Sequence, residues 1–412
     1  MHTLEQLRSG QLKGVKRVQI AEQLTSFPME ILELADSLEI LDLSNNRLTD
    51  IPEQIAELPK LKILFASNNL FTKLPASLGA CENLEMVGFK TNQIKEVPEA
   101  SLPQQLRWLI LTDNQIEVLP DSLGERPRLQ KLALAGNQIG ELPNTMSKLV
   151  NLELIRLSAN QLKAFPSVLL ELPKLAWLAF AGNPFCKHAV SSEGVPKVPS
   201  TSYTLNQVLG QGASGVISHA DWRNTEFDFP EEVAVKVFKG EVTSDGYPHD
   251  ELEACLQTGF HQNLVKSIAQ VDEPNHLSLV MELIPADYFN LGLPPSLESC
   301  TRDRFDDGFL LSVEKIDKIV TQMIDVFEHL HENKVCHGDL YAHNVLINSN
   351  SDMIFGDFGA ASIYGYLHPQ QQQQVKAIES RALAHFIDDL LSVCSPEDRS
   401  SAIYKKLESF IV

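Results

Sequence analysis

The chain has 412 residues, 43% hydrophobic and 21% charged, which supports two or three packed domains and excludes a disordered or collagen-like chain. Lys and Arg number 34 against 54 Asp and Glu, and the net charge of −20 is lopsided: residues 1–187 carry 19 basic and 21 acidic side chains, residues 188–412 carry 15 and 33. So acidic a second half repels phosphate backbones and anionic lipid surfaces, which argues against nucleic acid and membrane as partners but leaves room for a nucleotide that brings its own divalent metal.

The opening MHTLEQLRSGQLKG lacks the apolar core of a signal peptide, and no later run approaches the ~20 apolar residues of a membrane span. Six scattered cysteines without a Cys-x-x-Cys pair argue against a zinc site or a disulfide scaffold and fit a reducing compartment. The expectation is a soluble cytoplasmic protein.

An apolar-x-apolar-x-x-Asn pattern ends at Asn46, Asn69, Asn92, Asn114, Asn137, Asn160 and Asn183, in steps of 22 or 23 residues. Prolines keep the same period at Pro52, Pro75, Pro98, Pro120, Pro143 and Pro166. Each unit predicts one short strand with alternate leucines in a shared core, and an asparagine whose amide serves backbone groups at the turn. Residues 12–36, with Val18, Ile20, Leu24 and Pro28 slightly out of phase, predict a degenerate first repeat or a cap. The spacing Leu38-x-x-Leu41-x-Leu43-x-x-Asn46-x-Leu48 resembles the leucine-rich repeat, and the resemblance covers residues 1–187. Side chains between the core leucines face the concave surface. They include Ile40, Ile63, Phe65, Met86, Trp108, Ile110, Leu154 and Trp177. Such an apolar face predicts either a groove for a protein partner or a surface covered by the second half of the chain or a second copy.

The repeat stops at Cys186, and residues 188–202 read as a short connector stiffened by Pro196 and Pro199. From Tyr203 onwards strand patterns appear at 203–210, 232–238 and 277–283, and helical periodicity runs from Val313 to Glu332. Gly210-Gln-Gly212-Ala-Ser-Gly215 lies between two predicted strands, and Val233-Ala-Val-Lys236 follows in the next. Further on come His337-Gly338-Asp339-Leu340-Tyr341-Ala342-His343-Asn344 and Asp357-Phe358-Gly359.

This ordered set resembles the protein kinase domain over about residues 203–391. The resemblance implies ATP and Mg²⁺ as cofactors, with Gly210, Gly212 and Gly215 at the phosphates and Ile217 and Ala234 lining the nucleotide pocket. Met281 would stand at the entrance to the adenine site, with Glu282 and Ile284 offering backbone groups to the base. Lys236 would bind the phosphates, Asp357 and Asn344 would hold metal, and Asp339 would orient the attacking hydroxyl and accept its proton. Glu251 or Glu253 would pair with Lys236. About 200° apart on a helix, only one can do so, and Glu251 is preferred because apolar Cys255 lies four residues on; Glu253 is expected in solvent.

Some positions depart from the family. Gly338 stands where many protein kinases carry an Arg that senses a phosphorylated activation loop, Tyr341 replaces a lysine typical of Ser/Thr kinases, and no Ala-Pro-Glu follows. Glu379 opens a segment resembling the central helix of the large lobe, in place of the usual Asp, after the glutamine run 370–374. The expected architecture is an α/β leucine-rich repeat solenoid plus an α+β bilobal kinase-like domain (203–412) with a reduced large lobe. It resembles compact, bacterial leucine-rich repeat protein kinases. Ser/Thr is the default acceptor, and a small-molecule phosphotransferase and a pseudokinase scaffold binding through its repeats stay open as alternatives.

Overall fold

Each repeat contributes three residues to a parallel sheet in the computed structural model, which describes residues 1–186, 195–212, 214–240, 242–243 and 245–411. Contacts divide the chain into two units, Met1–Leu175 with Asn183–Phe185, and Ala176–Gly182 with Cys186–Val412.

The first unit opens with α1 (Leu4–Arg8), capped reciprocally by Thr3 and Gln6. Strands β1 (Arg17–Gln19), β2 (Ile40–Asp42), β3 (Ile63–Phe65), β4 (Met86–Gly88), β5 (Trp108–Ile110), β6 (Lys131–Ala133) and β7 (Leu154–Arg156) pair in one register. Arg17, Ile40, Ile63, Met86, Trp108, Lys131 and Leu154 stand side by side. The out-of-phase stretch 12–36 thus supplies a strand of its own. The central residue of each strand points into the core, as Leu41, Leu64, Leu109, Leu132 and Ile155 do. The six periodic prolines each precede a 3₁₀ turn, where a fixed φ helps and a missing N–H costs nothing.

The asparagines stitch one repeat to the next. Asn160 Nδ2 donates to the carbonyls of Leu134 (2.9 Å) and Leu157 (3.0 Å), while its Oδ1 accepts from Ile139 N (3.1 Å). The same arrangement recurs at Asn69, Asn114 and Asn137. Asn45, Asn68, Thr91, Asp113, Gly136 and Ala159, each just before a ladder asparagine, are left-handed. The turn therefore demands this conformation whatever residue occupies it.

The concave row, expected either as a partner groove or as a covered surface, is largely covered in the full chain. Ile63, Met86, Leu154 and Trp177 are buried, and Ile40, Phe65, Trp108 and Ile110 are half-buried. Neighbours within the sheet account for part of this: a Cβ at Gly88 would stand 2.5 Å from the Phe65 ring, and the Lys131 ammonium lies 4.2 Å from the Trp108 ring centroid.

The second unit begins with β8 (Trp177–Ala179). By its contacts the stretch Ala176–Gly182 groups with the second unit, through the packing of Trp177 described below. Of the expected connector, residues 188–194 lie outside the described residues. The remainder is not a free linker, because Val198 N donates to Gln270 O, Gln270 N to Pro196 O, and Val198 is buried. It covers a strand edge that would otherwise expose unpaired backbone groups.

Strands β9 (Tyr203–Gln211), β10 (Gly215–Trp222), β11 (Glu232–Phe238), β12 (Ser267–Glu273) and β13 (His276–Glu282) form an antiparallel sheet in the order β12-β13-β11-β10-β9. Alternation along β11 sends Val233 and Val235 into one apolar layer with Tyr203, Ala220 and Val280. It sends Ala234 to the opposite face, against Leu252 of α2 (Pro248–Thr258), Leu279 and Met281. Lys236 shares that second face. Gly259, at φ +69°, ends α2, which leaves Phe260 outside the helix and exposed.

The rest of the unit contains β14 (Phe289–Asn290), α3 (Val313–Glu332), β15 (Val335–Cys336), β16 (Val345–Ile347), β17 (Met353–Phe355), β18 (Ser362–Ile363), α4 (Pro369–Ser392) and α5 (Ala402–Glu408). Strand β16 sits between β14 and β17, and β15 pairs with β18. The glutamine run forms the first turns of α4, behind Pro369 at its first position.

Candidate active site

Lys236 projects from β11 towards α2, where its ammonium forms an ion pair with the Glu251 carboxylate. Both side chains are buried, which for a lone charge would be costly and for a pair is tolerable. Burial works to lower the Lys236 pKa, but the carboxylates of Glu251 and Asp357 outweigh it and hold the ammonium above its ordinary value. Burial pushes the Glu251 carboxyl up, and Lys236 pulls it back. Glu253, expected in solvent, is half-buried and adds its charge to the surroundings of the Tyr366 phenol.

Lys236 and Glu251 lie at a cleft of about 900 Å³. Gly210, Gly212, Gly215, Ile217, Ala234, Met281, Glu282, Ile284 and Asp357 line the same cleft. The glycines differ in their reasons. A Cβ at Gly210 or Gly212 would meet open space, whereas one at Gly215 would stand 2.5 Å from the Val237 carbonyl oxygen. Gly215 is therefore required by the close approach of β11 itself. Ala213 of this loop lies outside the described residues. Glu282 N already donates to Lys266 O (3.0 Å), so the main-chain group Glu282 could offer a base is its carbonyl.

Asp339 and Asn344 do not line the cleft, but they are joined to it. Asn344 Nδ2 donates to Asp339 Oδ2 (2.9 Å) and Asp339 O (3.0 Å), which fixes the two side chains together. Gly356, the residue before Asp357, donates its N–H to Asn344 O (3.3 Å), and its carbonyl lies 3.1 Å from His337 Nε2. His337 Nδ1 in turn accepts from Asp339 N (3.3 Å). One neutral tautomer, protonated at Nε2, satisfies both contacts. Complete burial holds the His337 pKa below its ordinary value, against the nearby charges of Asp339, Glu379 and Asp357. Asp357 itself is left-handed, at φ +58°, and its Oδ1 accepts from Gly359 N (3.3 Å).

Several residues that hold this loop escape a reading of the sequence for chemistry. Glu379 of α4 accepts from His337 N (2.7 Å) and Gly338 N (3.2 Å) through Oε1, while Oε2 meets His331 Nε2 (3.0 Å). Asp303 Oδ1 accepts from Ala342 N (2.8 Å), and Asp303 N donates to Asp389 Oδ2 (3.0 Å). Arg302 Nε meets Asp389 Oδ1 at 2.9 Å. Burial lifts the Asp303 carboxyl to about 8, with the Ala342 N–H and Arg302 opposing and Asp389 and Asp339 adding to the rise. The resemblance to the central helix of the large lobe marks Glu379, in place of the usual Asp, but not its role at the loop; nothing local marks Asp303.

Among the described residues no cluster of three His, Cys, Asp or Glu side chains could hold a metal, and no helix is long and apolar enough to cross a membrane. Asp357 lines the cleft and Asn344 is tied to the residue before it through the Gly356 N–H, so a carboxylate and an amide, oxygen donors that suit a hard divalent cation, come from adjoining segments.

The profile of the protein kinase domain matches residues 203–381. Leucine-rich repeat profiles match residues 36–78, 104–162 and 127–185. A probable leucine-rich repeat receptor-like protein kinase of Arabidopsis thaliana is 28% identical over 48% of this chain and 23% of its own length. A probable myosin light chain kinase of Dictyostelium discoideum is 26% identical over 40% of this chain and 48% of its own. The chain thus spans less than half the length of these curated relatives. A solved leucine-rich repeat protein of Leptospira interrogans is 27% identical, with a TM-score of 0.37, over 43% of this chain and 52% of that one. The chain carries leucine-rich repeats followed by a protein kinase domain.

Proposed function

We propose that the chain is an ATP- and Mg²⁺-dependent protein kinase that transfers the γ-phosphoryl group to protein hydroxyls, Ser or Thr by default, and that its repeats recruit a partner or substrate. The observation that carries the reading is the buried Lys236–Glu251 ion pair beside Asp357 in a single cleft with the glycine loop. A cytoplasmic setting belongs to the same proposal, supported by the cysteine usage.

When bound, the metal nucleotide supplies the transferable group and the neutralising charge on its oxygens. Lys236, oriented by Glu251, presents a positive charge to the phosphates. Asp357 and the amide oxygen of Asn344 would hold the metal, since the Asn344 amide nitrogen is committed to Asp339. Asp339, held by Asn344 and backed by His337, orients the acceptor hydroxyl and takes its proton. Gly210, Gly212, Ser214 and Gly215 line the cleft, and a glycine-rich turn of this kind suits anionic oxygens.

The test is the intact mass of the purified chain after incubation with Mg²⁺ and ATP, beside Asp339→Asn treated identically. A phosphoryl mass gain in the wild type alone supports the proposal, and peptide mapping then separates Ser/Thr from Tyr. No gain, with no transfer to a panel of protein substrates, would overturn it in favour of a small-molecule acceptor or a binding scaffold.

A further inference from the structure

The peptide Ala176–Gly182 follows the repeat pattern in sequence yet groups with the second unit, and within that unit it touches the Asp339 loop, the segment after Asp357, α2 and α4. Trp177 is 1% exposed. Its indole Nε1 donates to Leu340 O (3.0 Å), the residue after Asp339. The same ring stacks on Tyr341 (centroids 5.0 Å apart, planes 5° apart) and on His385 of α4 (5.2 Å, 13°). The Leu178 carbonyl accepts a weak bond from the Cys336 thiol at 3.7 Å, and a Cβ at Gly338 would lie 2.6 Å from it. Beyond the strand, Phe180 N and Ala181 N both donate to Ser362 Oγ (2.9 and 3.1 Å), five residues after Asp357. A Cβ at Gly182 would lie 2.5 Å from Asp250 Oδ2, next to Glu251 on α2.

We infer that Trp177–Gly182 is a built-in anchor that holds the Asp339 loop and the segment after Asp357 in register, with Trp177 and Ser362 as positioning residues for phosphoryl transfer. The physical case is that each contact uses a backbone group or ring of the anchor against a specific backbone or side-chain atom of the loops. Such contacts fix position more tightly than apolar packing alone. The anchor occupies the space at residue 338 from which an arginine side chain would have to project. It therefore supplies permanently, from within the chain, the fixed loop geometry that phosphorylation-sensing kinases obtain through a charge pair. The inference rests on the kinase reading for its catalytic consequence but not for its structural one.

Two variants test it: Trp177→Phe, which keeps a stacking ring but deletes the donor to Leu340 O, and Ser362→Ala, which deletes the acceptor for Phe180 N and Ala181 N. Hydrogen exchange of the full chain is read at residues 337–344 and 360–364, together with kcat and the KM for ATP. The anchor predicts faster exchange in those two segments, little change in α3, and kcat reduced about tenfold with the KM for ATP unchanged. Unchanged exchange there, or acceleration spread evenly through α3 and α4, would overturn it. Loss of a cooperative melting transition in both variants would also overturn it, since the two residues would then be ordinary core. A wild type that transfers no phosphoryl group, with local exchange still responding in the variants, removes the kinase reading and leaves the anchor standing; the converse removes the anchor alone.

Discussion

Gly338→Ala separates two costs that act at one residue. Gly338 has φ +71°, a conformation that costs an alanine about 1–2 kcal/mol. In addition, the new methyl would lie 2.6 Å from Leu178 O and 3.0 Å from Ala360 O. Both are backbone oxygens, so neither can swing aside as a side-chain tip would, and overpacking of this kind costs about 1–3 kcal/mol. Gly308 provides the control: its φ is +78°, it is exposed, and a methyl added there would have nothing within 4 Å. Gly308→Ala should therefore show the conformational cost alone. Calorimetry of the full chain should find the transition of the second unit lowered by roughly 2–12 °C more in Gly338→Ala than in Gly308→Ala, given about 2–4 °C per kcal/mol for a unit of this size. Equal shifts in the two variants would refute the steric argument and with it the close approach of Leu178 to the loop.

Three other outcomes are expected. Lys236→Met should reduce phosphoryl transfer at least about a hundredfold while keeping a cooperative transition, measured by initial rates and calorimetry; adding Glu251→Leu should recover part of the lost stability, because it removes the unpaired buried carboxyl. His337 binds its proton less readily folded than unfolded, so its contribution to stability is held above about pH 6.5, the ordinary value, and is lost as pH falls through the lowered folded value; urea midpoints from pH 7.5 downwards should show that slope, and His337→Gln should remove its share of it. Asn160→Ala strands the Ile139 N–H and the carbonyls of Leu134 and Leu157 in a fully buried turn and should cost the repeat unit about 2–4 kcal/mol in urea unfolding, whereas Asn144→Ala, at an exposed asparagine of ordinary backbone conformation, should cost under about 1 kcal/mol.

The parts of the fold legible in the sequence are those set by local periodicity. Asn46 to Asn183 and the prolines mark the repeats because every turn poses the same hydrogen-bonding problem and solves it with the same side chain. Helix α3 has the bounds its apolar spacing predicts, Val313–Glu332. The left-handed position before each asparagine is not legible, since Asn, Thr, Asp, Gly and Ala all occupy it and the constraint lies in the backbone. That the concave row is covered is one of two readings its apolar character allows; how neighbours within the sheet contribute is not legible, because alternation tells which face a side chain takes and not what stands beside it, as where Phe65 fills the space that Gly88 leaves. In the candidate site, motif order brings Lys236, Asp357 and the glycine loop to one cleft, but the partners that hold the catalytic loop come from far along the chain. Trp177 is 163 residues from Leu340, and Asp303 is 39 from Ala342. No local pattern encodes such pairs.

The departures from the kinase pattern at 338 and 379, with the small hydroxyl at 362, form one physical arrangement. With glycine at 338 the loop can adopt φ +71°, which turns the Gly338 amide, together with that of His337, onto a single oxygen of Glu379. Having both loop amides on Oε1 leaves Oε2 for His331, in the last turn of α3. A glutamate reaches both, and so ties α3, α4 and the loop through one buried carboxylate. The bare backbone at 338 also leaves room for the Leu178 carbonyl, which brings Phe180 N and Ala181 N onto the Ser362 hydroxyl and the Trp177 indole onto Leu340 O. A side chain at 338 would break this arrangement at its centre, because it would meet Leu178 O and Ala360 O at once. The missing arginine is thus the steric condition for the contacts that hold the loop in its place.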